Sequence, residues 1–511
     1  MKRNAVAGLV VDHRRESLVT SSGAVMINET IRAAGLRPAL SKVLSAWCPS
    51  RARHDPGKVL LDVAIGVALG GDCLADVAAV RAQRDLFGSV ASDPTVSRLF
   101  AALAVDTATT DAAVAALRSA RAAARERVWS RCRPLAGTPG TRDGGQVIVD
   151  IDATVVTAHS DKQGAEATHK MSYGFAPMCA FVDHGEHGTG ETLALDLRPG
   201  KASPFNSADH ITVLGAALDQ LPLVERGQVL VRADAGGASK AFLHHLTDAG
   251  LQYSIGFPAH GPVQAAIETI PEQAWVAALD SDGAPREGAQ VAELTNWMPT
   301  PVKPTRSPAK YGPQEWPRGM RVIARRERPH PGAQLRLTDH NGWRITCFAT
   351  NTRATGWTLP TLEVRHRQRA RAEDRIRCLK DTGLRNLPFH SYQANRIWLE
   401  IVALASDLIA WTQTLAFADH QPARKWEPKR FRFRLLAVAG RIIRTGRRRR
   451  LRLPQHWPWN HLIDTGWANP APPEQIPRPT IRPRTRRTGE HSAGEHRCTT
   501  ARQLQRPPPT R

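Results

Sequence analysis

The sequence predicts an α/β fold with carboxylates at its strand ends, on three observations. Val147–Val156 is a β-branched apolar run that reads as a buried strand, yet it holds Asp150 and Asp152 on one face. Buried strands rarely carry acids without a reason. Val229–Ala233 is a second apolar run, and it stops at Asp234, before Ala235-Gly236-Gly237 and a helical stretch from Ser239 to Ala249. An acid at the carboxyl end of such a strand sits where open α/β sheets hold ligands. Third, His366–Lys380 reads as a helix with Glu373 among cations. At 100° per residue, Arg369, Glu373, Arg377 and Lys380 fall within about 80° of one another.

The elements follow in order. Residues 1–140 are Ala-rich and read as helices, with Val59–Leu69 a core helix. Ala75–Arg84 and Pro94–Leu103 flank a turn-rich stretch, with Asp93 as N-cap and Pro94 at the first helical position. Two helices across a short turn fit a helix-turn-helix with Thr95, Ser97 and Arg98 toward DNA, or an ordinary helical hairpin. Pro and Gly between Leu135 and Gly145 mark a linker. After the Asp152 strand come strand-like Ala176–Val182 and Thr192–Leu197, a helix near Ser207–Gln220, the Asp234 strand with its helix, and strand-like Tyr253–Phe257. Between Asp234 and Glu373 lie 138 residues, too many for a loop. Their excess contains strand-like Met320–Ala324 and Gln334–Leu337.

Charge points to a polyanionic partner. Of the net +23, residues 421–511 hold 22 Lys or Arg against 5 Asp or Glu, which is +17. Arg432–Arg452 reads as an amphipathic basic helix, in which Arg447, Arg448, Arg449 and Arg450 face DNA backbone or solvent. From Asn469 the chain is Pro/Arg/Thr-rich without periodicity and reads as disordered. The 7 Cys are scattered without a Cys-x-x-Cys pair, so neither a zinc site nor a disulfide framework is indicated, which suits a reducing cytoplasm. The apolar stretches Val59–Leu69 and Leu399–Trp411 are interrupted by Asp62, Glu400 and Asp407, so no membrane span is expected.

At its acidic residues the chain resembles the DDE transposases of bacterial insertion sequences, most closely the thirteen-eighty family. The third motif of that clan, Tyr-x2-Arg-x3-Glu-x6-Lys, is matched by His366, Arg369, Glu373 and Lys380, with His in place of Tyr. Its first motif, Asp-x-Thr, is matched by Asp152-Ala153-Thr154, and its strand-terminal second acid by Asp234. The resemblance implies a ribonuclease-H-like catalytic core in two parts, 141–258 and 341–417, around a β-rich insertion at 259–340. A helical DNA-binding domain at 1–140 precedes it, and a basic helical segment at 418–468 and a tail at 469–511 follow. It implies that Asp152, Asp234 and Glu373 ligate two Mg²⁺, with Mn²⁺ as substitute. Asp150 competes with Asp152, and the Asp-x-Thr match favours the latter. His366, Arg369 and Lys380 are expected at phosphates, with Arg377 beside them. His169, Tyr173, His210 and Asn206 could line the site or make structural hydrogen bonds. The partner implied is double-stranded DNA, meaning element ends and target, bound by a homodimer in the bacterial cytoplasm. Two other readings are a ribonuclease-H-like nuclease without strand transfer and a non-catalytic DNA-binding regulator.

Overall fold

The computed structural model describes residues 17–132, 141–142, 146–188, 190–223, 226, 229–298, 315–330, 332–334, 339–446 and 448–469. Most of the linker between Leu135 and Gly145, most of Gln334–Leu337, Arg447 and the tail beyond Asn469 lie outside them. All described residues belong to one compact unit, Met1–Ala471.

Helix α1, Pro56–Ala68, starts where Asp55 accepts a hydrogen bond from the Lys58 backbone. It is buried on nearly every side. Next come short helices at Val77–Ala82 and Arg84–Phe87, then α2, Asp93–Leu103, capped at Ser92, one residue before the expected cap. Helix α3 runs from Thr107 to Cys132.

The sheet begins with β1, Gln146–Ala153, flanked by β2, Met178–Val182, then β3, Glu191–Asp196, both antiparallel. On its other side lie β4, Val229–Ala233, and β5, Gln252–Phe257, both parallel. Helix α4, Ser207–Leu218, precedes β4, and α5, Lys240–Asp248, links β4 to β5. The order of three strands, helix, strand, helix, strand is the one expected from the sequence.

Residues 259–340, expected as a β-rich insertion, carry three strands that, with a fourth just past that span, lengthen the same sheet. Strands β6, Val276–Leu279, β7, Pro285–Glu293, β8, Arg321–Glu327, and β9, Arg344–Thr350, pair in succession, and β9 closes antiparallel onto β5. The order is β6-β7-β8-β9-β5-β4-β1-β2-β3, and a tenth strand of two residues, Thr141–Arg142, pairs antiparallel with the start of β1 off this path.

Helices α6, Leu359–Arg367, and α7, Arg371–Leu379, come next, and α8, Tyr392–Ala416, packs against α1, α3 and β3. Helix α8 is long and apolar enough to cross a bilayer, but it is covered by protein along its length. One hydrophobic cluster spans Ala24 to Ile463, so helical region and sheet share a core.

Two expectations are corrected. His366–Lys380 is not one helix, because a 3₁₀ turn at Gln368–Ala370 separates α6 from α7. At three residues per turn it rotates the faces of α7 relative to those of α6. Nothing in the local residue types marks the break. The segment 418–468 is not one basic helix either. It holds short helices, then a hairpin of β10, Gly440–Thr445, and β11, Arg448–Arg452, and a helix at Asn460–Ala468. Ile442 and Ile443 favour a strand, and the pairing Thr445↔Arg448 leaves a two-residue turn whose Gly446 has φ +58°. On a helix the arginine run would crowd like charges at i,i+3, whereas a ribbon divides them between two faces.

A candidate active site of three carboxylates

Strands β1 and β4 are parallel, and Ile151 pairs with Ala233. Asp152 and Asp234 are the next residues, so they continue neighbouring strands in step, about 4.8 Å apart by strand spacing. Asp234 leaves the sheet into a 3₁₀ turn, where its Oδ1 accepts from the Gly236 backbone at 2.9 Å. That turn lies over β5 at Gly256, where a Cβ would stand 2.7 Å from the Ala235 nitrogen. Only glycine admits this approach.

The third acid comes from across the chain. Arg369, in the 3₁₀ turn, lies 3.4 Å from Asp152 Oδ2 and 3.7 Å from Glu373 Oε1. One guanidinium thus stands between the first and third acids. The Asp152 side chain is 13 % exposed and that of Glu373 is 70 % exposed. Burial, and then the negative charges of Asp234 and Glu373, push the Asp152 carboxyl up to about 6, against the pull of Arg369. Carboxylates that repel one another around a partly open strand end suit a hard divalent cation. Their oxygens are not drawn together into a closed set. Among the described residues, the group whose ligand atoms all lie within 4.8 Å is Asp72, Cys73 and Asp76. There Asp76 Oδ2 caps the turn by accepting from the Asp72 and Cys73 backbones and the Cys73 thiol.

Asp150, the competitor of Asp152, has a different environment. Arg232 grips both its oxygens at 2.7 Å and reaches Asp183 at 2.8 Å, while its remaining nitrogen donates to the Arg365 carbonyl at 3.0 Å. Arg371, opening α7, also binds Asp183, at 3.1 Å. Burial alone would lower the Arg232 pKa, but the charges of Asp150 and Asp183 hold it above its usual range. Asp150 is therefore a structural tie between β1 and β4, linked through Arg232 to the end of α6. Sequence reasoning missed Arg232 and Asp183. The visible signal was a charged residue inside one apolar run, Arg232, and another directly after one, Asp183.

Two expected phosphate ligands need correction. His366 stacks on Phe348 at 4.4 Å, and its Nδ1 lies 2.9 Å from Ser254 Oγ. Burial, then the nearby Arg369 and Arg232 charges, push it down to about 3, so it is neutral at pH 7 and brings no charge to a phosphate. Arg377 is tied to Glu427 at 2.7 and 3.0 Å and to Asp374 at 3.0 Å. Lys380 is half-buried and, among the described residues, has no carboxylate at ion-pair distance, and desolvation lowers its pKa. Asn206 caps α4 and offers its carbonyl to His210, which packs on Phe242, while His169 and Tyr173 are exposed. Thr95 accepts from Arg98 at 3.4 Å, and Ser97 and Arg98 are exposed on the first turns of α2. Of the basic run, Arg448, Arg449 and Arg450 are exposed on β11.

The family described as transposase DDE domain group 1 matches residues 4–469. The chain belongs to that family. Its members are transposases. No curated protein matches. Among solved structures, a piggyBac transposase synaptic complex with hairpin DNA matches at 10% identity, covering 81% of this chain and 79% of that one, with TM-score 0.37.

Proposed function

We propose that this transposase, of thirteen-eighty type with a ribonuclease-H-like core, cuts DNA at the ends of its element and joins the freed ends to target DNA. The observation that carries the reading is the convergence of Asp152, Asp234 and Glu373, with Arg369 between two of them. The three carboxylates would hold divalent cations, Mg²⁺ by the hardness of the donor set, which would polarise the reacting phosphate and acidify a water. Glu373 is exposed and tied only loosely to Arg369, so it can move toward the two aspartates. Arg369 would turn from the carboxylates to a phosphate oxygen, and Lys380 would add a second positive charge. In the first step a water oxygen bonds to phosphorus and the P–O3′ bond breaks, leaving a 3′-hydroxyl and a 5′-phosphate. In the second that hydroxyl, losing its proton, bonds to a target phosphorus and displaces the target's 3′-oxygen. Both steps rest on positioning and charge stabilisation.

A labelled duplex carrying an element end, incubated with Mg²⁺ and plasmid, tests this. Nicked and joined products are expected. Nicks without joining favour a nuclease, and binding without nicks a regulator.

Lys380 and Arg377 make a controlled pair. Lys380→Ala is expected to reduce cleavage and to change stability by no more than about 1 kcal/mol, because it strands no carboxylate partner and relieves the desolvation of a half-buried charge. Arg377→Ala breaks an exposed tie worth up to about 1 kcal/mol and is expected to leave cleavage intact. Equal silence of both in a cleavage time course would remove the phosphate role of Lys380.

A further inference from the structure

The β10–β11 hairpin is a two-sided ribbon. It pairs along β10 with a two-residue strand, Leu18–Val19, in the register Leu18↔Arg441 and Val19↔Gly440. Paired residues share a face, and faces alternate along each strand. One face therefore holds Val19, Ile442, Arg444, Arg449 and Leu451. Val19 is 2 % exposed, and Arg444 and Arg449 both reach Asp85, at 3.4 and 3.0 Å. This face packs against the body at Val19, and its two arginines, though exposed, share the Asp85 carboxylate.

The other face holds Leu18, which is 64 % exposed, with Arg441, Arg448, Arg450 and Arg452. All four arginines are exposed. Arg441 stands directly opposite Arg452, a like-charge pairing that costs stability in a sheet. Among the described residues, no carboxylate lies at ion-pair distance from Arg448, Arg450 or Arg452. The ribbon thus concentrates like charge outward while tying the arginines of its other face to an acid. A two-stranded ribbon also fits the major groove of B-DNA, and guanidinium pairs well with phosphate.

We propose that the outward face of this ribbon is a docking surface for the phosphate backbone of double-stranded DNA, through Arg448, Arg450 and Arg452. The proposal rests on the transposase reading and adds a sided surface remote in sequence from the three acids. The test uses full-length protein and a random-sequence duplex, with affinity followed by fluorescence anisotropy across a salt series. In R448Q/R450Q/R452Q the slope of log affinity against log salt is expected to flatten by about 0.9 for each phosphate no longer neutralised, so by about 2.7 if each arginine meets one phosphate. In R444Q/R449Q, on the face that carries Val19, the slope is expected to stay and the thermal midpoint to fall. A wild-type slope in the outward variant, with wild-type protein binding and cutting DNA, overturns the ribbon and leaves the transposase reading standing. Wild-type protein that neither binds nor cuts DNA overturns that reading itself.

Discussion

Asp152→Asn is expected to abolish DNA cleavage and at the same time to raise the thermal midpoint of the metal-free protein near neutral pH. Both effects come from one cause. Asp152 is largely buried and faces two further acids, so its carboxyl is pushed from an ordinary 3.8 up to about 6. Between those pH values the native state holds a proton that the unfolded chain has released. Stability therefore falls as pH rises through this window, and the full cost is present at pH 7.5. Two units correspond to about 3 kcal/mol at most. The asparagine variant is expected to recover much of this above pH 6 and nothing below about pH 4. Adding Mg²⁺ is expected to stabilise wild type and leave Asp152→Asn unmoved. Asp234→Asn and Glu373→Gln are expected to lose cleavage too, and the exposed Glu373 should change stability little. Asp150→Asn is expected to do the reverse of Asp152→Asn. It deprives Arg232 of a charged partner, costs about 1.5–3 kcal/mol, and spares metal-dependent stabilisation. Cleavage by Asp152→Asn alongside metal loss in Asp150→Asn would move the first ligand by two residues. Cleavage by Glu373→Gln would remove the third.

The sheet and its acids were legible because they are local signals. An apolar β-branched run shows itself in eight residues, and an acid inside it needs a partner or a metal. Choosing between those two was not local. Asp150 and Asp152 look alike in the sequence, and only Arg232, from a strand 82 residues away, separates them. The stretch from His366 to Lys380 was misread for a related reason. Even-paced helical counting cannot see a 3₁₀ turn, so it places His366 beside Glu373 when its partners are Phe348 and Ser254. Arg377 does share α7 with Glu373, but its partner Glu427 comes from 50 residues away, which no local count shows. The hairpin was misread because arginine is helix-tolerant, and the deciding residues were Gly446 and two isoleucines rather than the charges. The acids Asp62, Glu400 and Asp407 stand out inside apolar stretches, but the buried arginines that pair with Glu400 and Asp407 do not. Arg118, Arg121, Arg125 and Trp129 share one face of α3, and in an Ala-rich helix that face was open to a second reading as an interior one.

That buried face sets the second large effect. Arg125 is fully buried and donates to Glu191 at 2.7 Å, Asp407 at 2.8 Å, Gln220 at 2.8 Å and the Thr192 carbonyl at 3.0 Å. Arg121 binds Asp407 and Glu400, and the indoles of Trp129 and Trp411 donate to Glu191. Burial alone would raise the Glu191 pKa, but His184 and Arg125 hold it well below the usual range, so its contribution persists at neutral pH and is lost only in strong acid. The network joins α3 to α8 and β3, and so fastens the helical region to the sheet. Arg125→Met is expected to cost about 3–5 kcal/mol, because it strands buried carboxylates. Arg125→Met with Glu191→Gln removes one charge of each sign and is expected to lose less than the single variant, despite altering more hydrogen bonds. Urea midpoints of wild type and the two variants decide it. A double loss equal to or greater than the single one would mean that packing around Arg125 holds this junction, with charge balance secondary. The three acids lie outside this network, so the Mg²⁺-induced shift in midpoint is expected to survive in the double variant.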